Sequence, residues 1–403
     1  MTPYRRNLLA APARVSAVYA VLFSIACLSI VYLPRWFVQV GLTTAEVGSI
    51  LAVAAIVKVP MTLLAGTAAD VLARRKQVLL LVSVLLLLFT PALFVARDWL
   101  WLCVAWAVLG GLISTCIPLT DSIAVNTVQR ESVSYGRMRM WGSVFFLATS
   151  LVTGWLISGR GEQALVVLFF LASVALCAAV AAMPDYQSDS SAQAPADAAE
   201  RTGRHVGSTF LEVIRLPGFV GFLTCAAILM ASHAALYSLS TVYWSNAGIS
   251  LPTIGLLWAT GVVAEVIFFF LSASLLKRWG PWQLLLIAGS TATVRWLITA
   301  MVTDVSVLIF SQSLHAITFT FTQLAVVTYI GRNVPEALTS SAQSLYDSCA
   351  LGVIFGMALF VSGRLSQVDI AWSFFGMAIM SACGSCLAAV LFFRTDNKRS
   401  SRH

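Results

Sequence analysis

Seven ionisable side chains lie inside runs that are otherwise apolar. Lys58, His233, Glu265, Arg295 and His315 fall near the centres of long hydrophobic stretches, and Asp121 and Asp347 fall nearer the ends. A charge at the centre of a bilayer costs about 2.5–3.5 kcal/mol on insertion scales, so such residues are candidates for function. The positives Lys58 and Arg295 are nearly balanced by Asp121, Glu265 and Asp347, which points to pairing rather than isolated charge. The chemistry these residue types offer is proton handling and anion binding. A carboxyl in low dielectric favours its neutral form, so Glu265 can take a proton near neutral pH. Arg295 stays charged and can hold or release Glu265 as the proton moves, or bind a substrate carboxylate bidentately. His315 can relay protons or donate to a substrate. Lys58 can bind an anion, and Asp121 can pair with Arg139. Lys58, Asp121 and Asp347 serve equally well as structural partners. His233 and Tyr237, one turn apart, read as packing groups. Trp296 is a candidate for facing substrate, although most tryptophans of such a chain pack or line the interfaces.

The elements that must position these groups are membrane helices. The chain has 403 residues, 59% of them hydrophobic and 10% charged, with a mean hydropathy of +0.88. Soluble domains carry about 25% charged residues, so lipid must surround most of this chain. A crossing helix needs ~20 largely apolar residues. The apolar runs predict twelve of them: 15–38, 46–69, 77–96, 99–128, 137–158, 163–183, 217–245, 250–275, 282–302, 304–331, 338–362 and 369–393. The first is too long for a signal-peptide core and lacks a small-residue cleavage site. The one long polar stretch holds Pro184, Ser188, Asp189, Ser190, Pro195, Asp197, Glu200 and Arg204 and reads as a flexible linker. The expected organisation is an all-α membrane protein of two pseudo-symmetric six-helix bundles, 1–184 and 217–403, joined by a cytoplasmic linker at 185–216. Such a division is the coarse signature of a transporter built from two repeats.

Charge placement orients the helices and removes other function classes. The formal net charge is +8. With the N-terminus inside, the cytoplasmic loops hold Arg74, Arg75, Lys76, Arg130, Arg137, Arg139, Lys277, Arg278, Arg332 and both basic chain ends. The opposite side holds only Arg35, Arg97, Arg160 and Arg364. This bias predicts both termini in the cytoplasm and explains the basic pI without nucleic acid. A P-loop pattern is missing, so ATP-driven transport has no support. Neither H-x-x-x-H nor H-E-x-x-H occurs, which argues against a metal site and against a polytopic membrane enzyme. The eight cysteines all lie in apolar runs, and the C-x-x-C of Cys383 and Cys386 reads as helix packing. The expected partners are a small-molecule substrate and the lipid bilayer, with a proton as coupling ion, no other cofactor, and the monomer as working unit.

Two sets of residues carry a family resemblance. Gly66, Asp70, Arg74 and Arg75 match the G-x-x-x-D-R-x-G-R-R/K loop between the second and third helices of the major facilitator superfamily, while Val71 and Ala73 depart from it. The resemblance implies a conformational clasp, with Gly66 permitting close helix approach. The second half has a degenerate copy, in which Lys277 replaces the acid. Glu265, Arg295 and His315 on three consecutive helices resemble the lactose permease type of proton symporter. The wider pattern is similar to the 3-phenylpropionate transporter-like permeases. It comprises Pro118–Ser122, the Tyr-Gly-Arg-Met-Arg-Met-Trp-Gly-Ser run at 135–143, Arg295-Trp296, the run from Gln312 to Phe319, and Ala342-Gln343. Thr318 stands where the lactose permease type has an acid, and Gln323 where the phenylpropionate-like group has a second histidine. The resemblance implies proton symport of a small aromatic or other organic carboxylate, with a neutral sugar or nucleoside as the alternative and drug efflux behind both. Glu265, Arg295 and His315 are then the proton-coupling set. Lys58, Asp121, Arg139, Trp296, Gln312, Gln323 and Asp347 are the substrate-binding candidates.

Overall fold

The apolar runs close into helices because no water is available in a bilayer to satisfy backbone N–H and C=O groups. The computed structural model describes residues 11–72, 74–95, 98–131, 133–186, 210–271 and 278–400. Twelve helices in it are long and apolar enough to cross a membrane. They are α1 Ala11–Gln39, α2 Thr44–Ala69, α3 Arg75–Val95, α4 Trp99–Glu131, α5 Tyr135–Arg160 and α6 Gln163–Ala182. The second set is α7 Phe219–Asn246, α8 Leu251–Phe268, α9 Pro281–Met301, α10 Val305–Asn333, α11 Ser341–Leu365 and α12 Ile370–Arg394. No strand occurs among the described residues.

Local chemistry sets several ends. The Asp304 carboxylate caps α10 by accepting from the backbone N–H groups of Ser306 and Val307 at 2.9 and 3.1 Å. Pro281 opens α9, where a missing N–H costs nothing. Gly161 ends α5 at φ 78°, a conformation side chains with a Cβ avoid.

Two compact units emerge. In the first, α1 packs on α4, α5 and α6, and α3 packs on α4 and α6. This unit also takes in Ile249–Ala259 at the start of α8. There Gly255 lies so close to α5 that an added Cβ would sit 2.3 Å from the Ser150 carbonyl oxygen. In the second unit α12 packs on α7 and α9, and α9 on α10. Its core centres on Phe222 stacked on Tyr329, with ring centroids 3.8 Å apart. This unit includes Thr44–Ala52 of α2, where Gly48 meets the backbone of Gly363 on α11.

Much of the segment read as linker lies outside the described residues. Its last part, 210–215, is helical, and Val213 is fully buried in the second unit's core. In the degenerate copy of the loop motif, Lys277 falls outside the described residues, which resume at Arg278. Four helices break the regular α pattern, which the apolar runs did not signal. Short π-helical segments occur at Leu28–Tyr32 in α1, Ala316–Thr320 in α10 and Asp347–Ile354 in α11. In α7 the helix is interrupted at Ser232 and His233. Irregularities of this kind concentrate at functional positions.

Candidate functional site

The second unit brings together His233, Glu265, Arg295 and His315 on α7, α8, α9 and α10. Ser311, His315 and Thr318 recur at i, i+4 and i+7, so α10 carries one polar stripe. Arg295 of α9 lies against it and is fully buried. Its Nε–H donates to the Ser311 carbonyl at 3.0 Å. One terminal nitrogen donates to His315 Nδ1 and to Thr318 Oγ1, both at 3.1 Å. The other donates to Gln312 Oε1 at 2.9 Å. All four acceptors are neutral and all lie on α10. The guanidinium carbon also sits 4.4 Å from the Trp296 ring centroid.

These contacts settle proton positions. Guanidinium has donors only, so the His315 Nδ1 facing it is bare and the ring proton is on Nε2. That Nε2 lies 3.7 Å from Glu265 Oε2 of α8. Glu265 thus faces Arg295 across the His315 ring, with its carboxylate just beyond hydrogen-bond reach of Nε2. Gly261, one turn before Glu265, faces α10: an added Cβ would lie at ordinary contact distance, 3.6 Å, from both the Gln312 carbonyl oxygen and His315 Cβ. By the same logic Gln312 must turn its oxygen to Arg295. Its Nε2 is then a buried donor without a hydrogen-bond partner.

His233 joins this cluster, although its spacing with Tyr237 read as packing. Its Nδ1 faces the carbonyls of Leu229 and Met230 at 3.2 and 3.1 Å, and its Nε2 faces Thr318 Oγ1 at 3.1 Å. Trp296 is fully buried. Its indole N–H donates to Ser232 Oγ at 3.3 Å, and its ring packs edge-on against His233 at 5.1 Å and near Phe374 at 6.4 Å. Trp296 thus braces the break in α7. Gln323, further along α10, is half-buried.

A second cluster lies in the first unit, where Asp121 of α4 meets α1 and α5. Tyr19 and Tyr135 donate to Asp121 Oδ1 at 2.5 and 2.8 Å. Arg139 approaches both carboxylate oxygens at 3.4 Å and donates to the Tyr135 hydroxyl at 2.8 Å. The expected Asp121–Arg139 pairing is present, and two tyrosines complete it. Tyr135 is marked in the sequence only as the first residue of the run at 135–143, and Tyr19 does not stand out, because phenols on apolar helices usually pack. Lys58 is half-buried on α2. Asp347 opens the π segment of α11 and accepts from Gln343 Nε2 at 3.2 Å.

In the loop motif, Arg74 donates to Gln77 at 3.1 Å and Lys76 to the Met183 carbonyl at 2.6 Å. Arg75 follows at the start of α3, and the Asp70 side chain lies outside the described residues. The close approach expected at Gly66 is not made among the described residues: outside its own helix, none of their atoms lies within 4 Å of the place a Cβ would take. Glycines that press on the backbone of a neighbouring helix include Gly48, Gly154, Gly255 and Gly363. All eight cysteines are free. Cys383 and Cys386 are exposed on the surface of α12, so their spacing does not mark a packed seam.

Known proteins resemble this chain along most of its length. The model of the MFS_1 like family matches residues 13–377. A probable 3-phenylpropionic acid transporter of Escherichia coli (strain K12) is 32% identical over 342 residues, covering 84% of this chain and 87% of that protein. The maltose permease of Geobacillus stearothermophilus is 28% identical over 345 residues, 84% of each. Among solved structures, the nucleoside transporter NupG superposes with a TM-score of 0.78 at 15% identity, covering 95% of this chain and 99% of that one. Twelve membrane-crossing helices, two compact units and this coverage agree: the chain belongs to the MFS_1 like family and is a secondary transporter of the major facilitator type, not an enzyme.

Proposed function

We propose that this transporter moves a small aromatic or related organic carboxylate, such as 3-phenylpropionate, across the bacterial inner membrane by proton symport and alternating access. The observation that carries the proposal is Arg295, a fully buried cation whose hydrogen-bond partners are all neutral. A buried charge of this kind favours any anion brought near it. Glu265, across the His315 ring, is one such anion, and a substrate carboxylate is the other. When Glu265 is protonated, the Arg295 charge is left for the substrate, and the unpartnered Gln312 amide offers a second donor to its carboxylate. When Glu265 loses its proton, its own charge competes and the substrate is released. Proton and carboxylate then raise each other's affinity, which is what symport requires. Glu265 is the entry point for the proton, because its side chain is 24% exposed against 8% for His315. The identity to the probable 3-phenylpropionic acid transporter supports the same substrate class.

In this reading Lys58, Asp121, Arg139, Gln323 and Asp347 contribute to the substrate path. The loop of Gly66, Asp70, Arg74 and Arg75 biases the conformational equilibrium. Both chain termini are cytoplasmic, and the monomer is the transporting unit. A sugar or nucleoside cargo is the second reading, favoured by the identity to maltose permease.

The test is uptake of radiolabelled 3-phenylpropionate into proteoliposomes, with and without an imposed proton gradient, beside maltose, lactose and uridine. Gradient-driven accumulation of the carboxylate alone is expected. Accumulation of a neutral solute instead would replace the carboxylate reading, and no gradient dependence for any of them would remove symport.

A further inference from the structure

Thr318 has one hydroxyl proton and three polar neighbours. Arg295 donates to its oxygen at 3.1 Å. His233 Nε2 lies at 3.1 Å and the His315 carbonyl at 3.3 Å. Both atoms facing His233 Nδ1 are backbone carbonyl oxygens, which only accept, so Nδ1 carries the ring proton and Nε2 is bare. The Thr318 proton therefore goes to His233 Nε2, and the Thr318 lone pairs remain for Arg295. A chain results that runs from the Leu229 and Met230 carbonyls at the α7 break, through His233 and Thr318, to Arg295.

We infer that His233 and Thr318 are positioning residues for the coupling site: their hydrogen bond holds the Arg295 guanidinium on α10 and so keeps it off the Glu265 carboxyl. The inference rests on the proton-symport reading. Arg295 and Glu265 are one imidazole ring apart, at 3.1 Å from Nδ1 and 3.7 Å from Nε2. Without the Thr318 oxygen, the terminal nitrogen that also serves His315 loses one of its acceptors, and the nearby Glu265 carboxylate becomes the strongest replacement. A direct pair there favours the ionised carboxyl and pushes its protonation to lower pH by about one to three units. It also occupies the charge that a substrate carboxylate needs.

Around Glu265 and Arg295, α7 presents His233 and Tyr237, and α10 presents His315. From α12 come Ser381, bonded to Thr293, and Phe374 against Trp296, neither of which titrates. Asp347 of α11 is exposed and bonded to Gln343.

The experiment reads the Glu265 proton directly, by infrared titration of its carboxyl C=O band in the full-length protein, with Glu265→Gln identifying the band. Thr318→Val keeps the side-chain shape and removes the hydroxyl. It is expected to move the band's midpoint to lower pH by about one unit or more. His233→Leu, which cuts the chain one link earlier, is expected to do the same. Thr318→Ser restores the hydroxyl and should titrate as the wild type does. Wild-type titration in Thr318→Val and His233→Leu, or a shift in Thr318→Ser as large as in Thr318→Val, would overturn the inference. Loss of symport in the wild type alone, with these shifts present, would fault the transport reading and leave the wiring intact.

Discussion

At the scale of the residue, the site works through which atoms can donate and which can only accept. Arg295 fixes the tautomer of His315 and the orientation of Gln312 because guanidinium cannot accept a hydrogen bond. Removing the titratable group at Glu265 while keeping its shape tests the proton's carrier. Glu265→Gln is expected to abolish gradient-driven accumulation in proteoliposomes and to leave exchange of labelled for unlabelled substrate running. Pursued across pH, that exchange should lose its pH dependence. Accumulation that stays pH-dependent and unimpaired would move the proton elsewhere. Gln312 tests the anion. A hydrogen bond to a charged group contributes about 1.5–3 kcal/mol. Gln312→Leu is therefore expected to raise the apparent KM for a carboxylate substrate by about tenfold or more, with a much smaller effect on the corresponding neutral amide. Equal losses for both would mean that Gln312 only packs. Glu265, Arg295 and His315 were legible in the sequence because charge in an apolar run has few innocent explanations. His233 is marked by its type but reads as packing, and Thr318 reads only as a departure from a family pattern, because a threonine or histidine on an apolar helix is usually satisfied by its own backbone. Only the register of α7 against α10 turns them into a chain.

Helices were legible as elements because backbone satisfaction in lipid leaves little alternative, and each apolar run is long enough to cross. Their irregularities were not. At the α7 break the His233 ring meets the Leu229 and Met230 carbonyls, and hydropathy carries no trace of that or of the π segment at Ala316–Thr320. Glycine placement is similarly ambiguous in sequence, since a glycine on a helix marks close approach only if a neighbour is there. Gly255 and Gly66 separate the two cases. An added Cβ at Gly255 would lie 2.3 Å from the Ser150 carbonyl oxygen, a backbone atom that cannot swing aside. Gly255→Ala is expected to destabilise the protein by about 1–3 kcal/mol, the usual range for overpacking. At Gly66 the space is open, and alanine there should be neutral or slightly stabilising, by up to ~1 kcal/mol, because it lowers the entropy lost on helix formation. Thermal unfolding of the two variants in the same detergent compares them. A Gly66→Ala protein that melts as low as Gly255→Ala would show that the loop glycine is also tightly packed.

The whole molecule is shaped by lipid on its outside. Val95, Leu64, Met301 and Val368 are each more than two-thirds exposed. In water such a surface would drive aggregation. In a bilayer these residues meet acyl chains, and the chain needs few charges because few of its residues meet water. The charges it has are then free to set topology. Arg74, Arg75 and Lys76 follow α2, Arg130 ends α4, Arg332 ends α10, and Arg394 ends α12. All of these ends fall on one side if the helices alternate direction through the membrane. The other side keeps Arg35, Arg97, Arg160 and Arg364, and Arg35 is already paired with Glu162. The positive-inside rule counts lysine and arginine rather than net charge, so this asymmetry is a prediction of orientation. Fluorescent protein fused to the C-terminus should fluoresce in living bacteria, as it folds only in the cytoplasm. Alkaline phosphatase inserted in the turn after Arg160 should be active, as it folds only outside. An active phosphatase at the C-terminus would invert the topology. It would also place the Arg74–Lys76 loop on the outer face, where a cytoplasmic clasp could not operate.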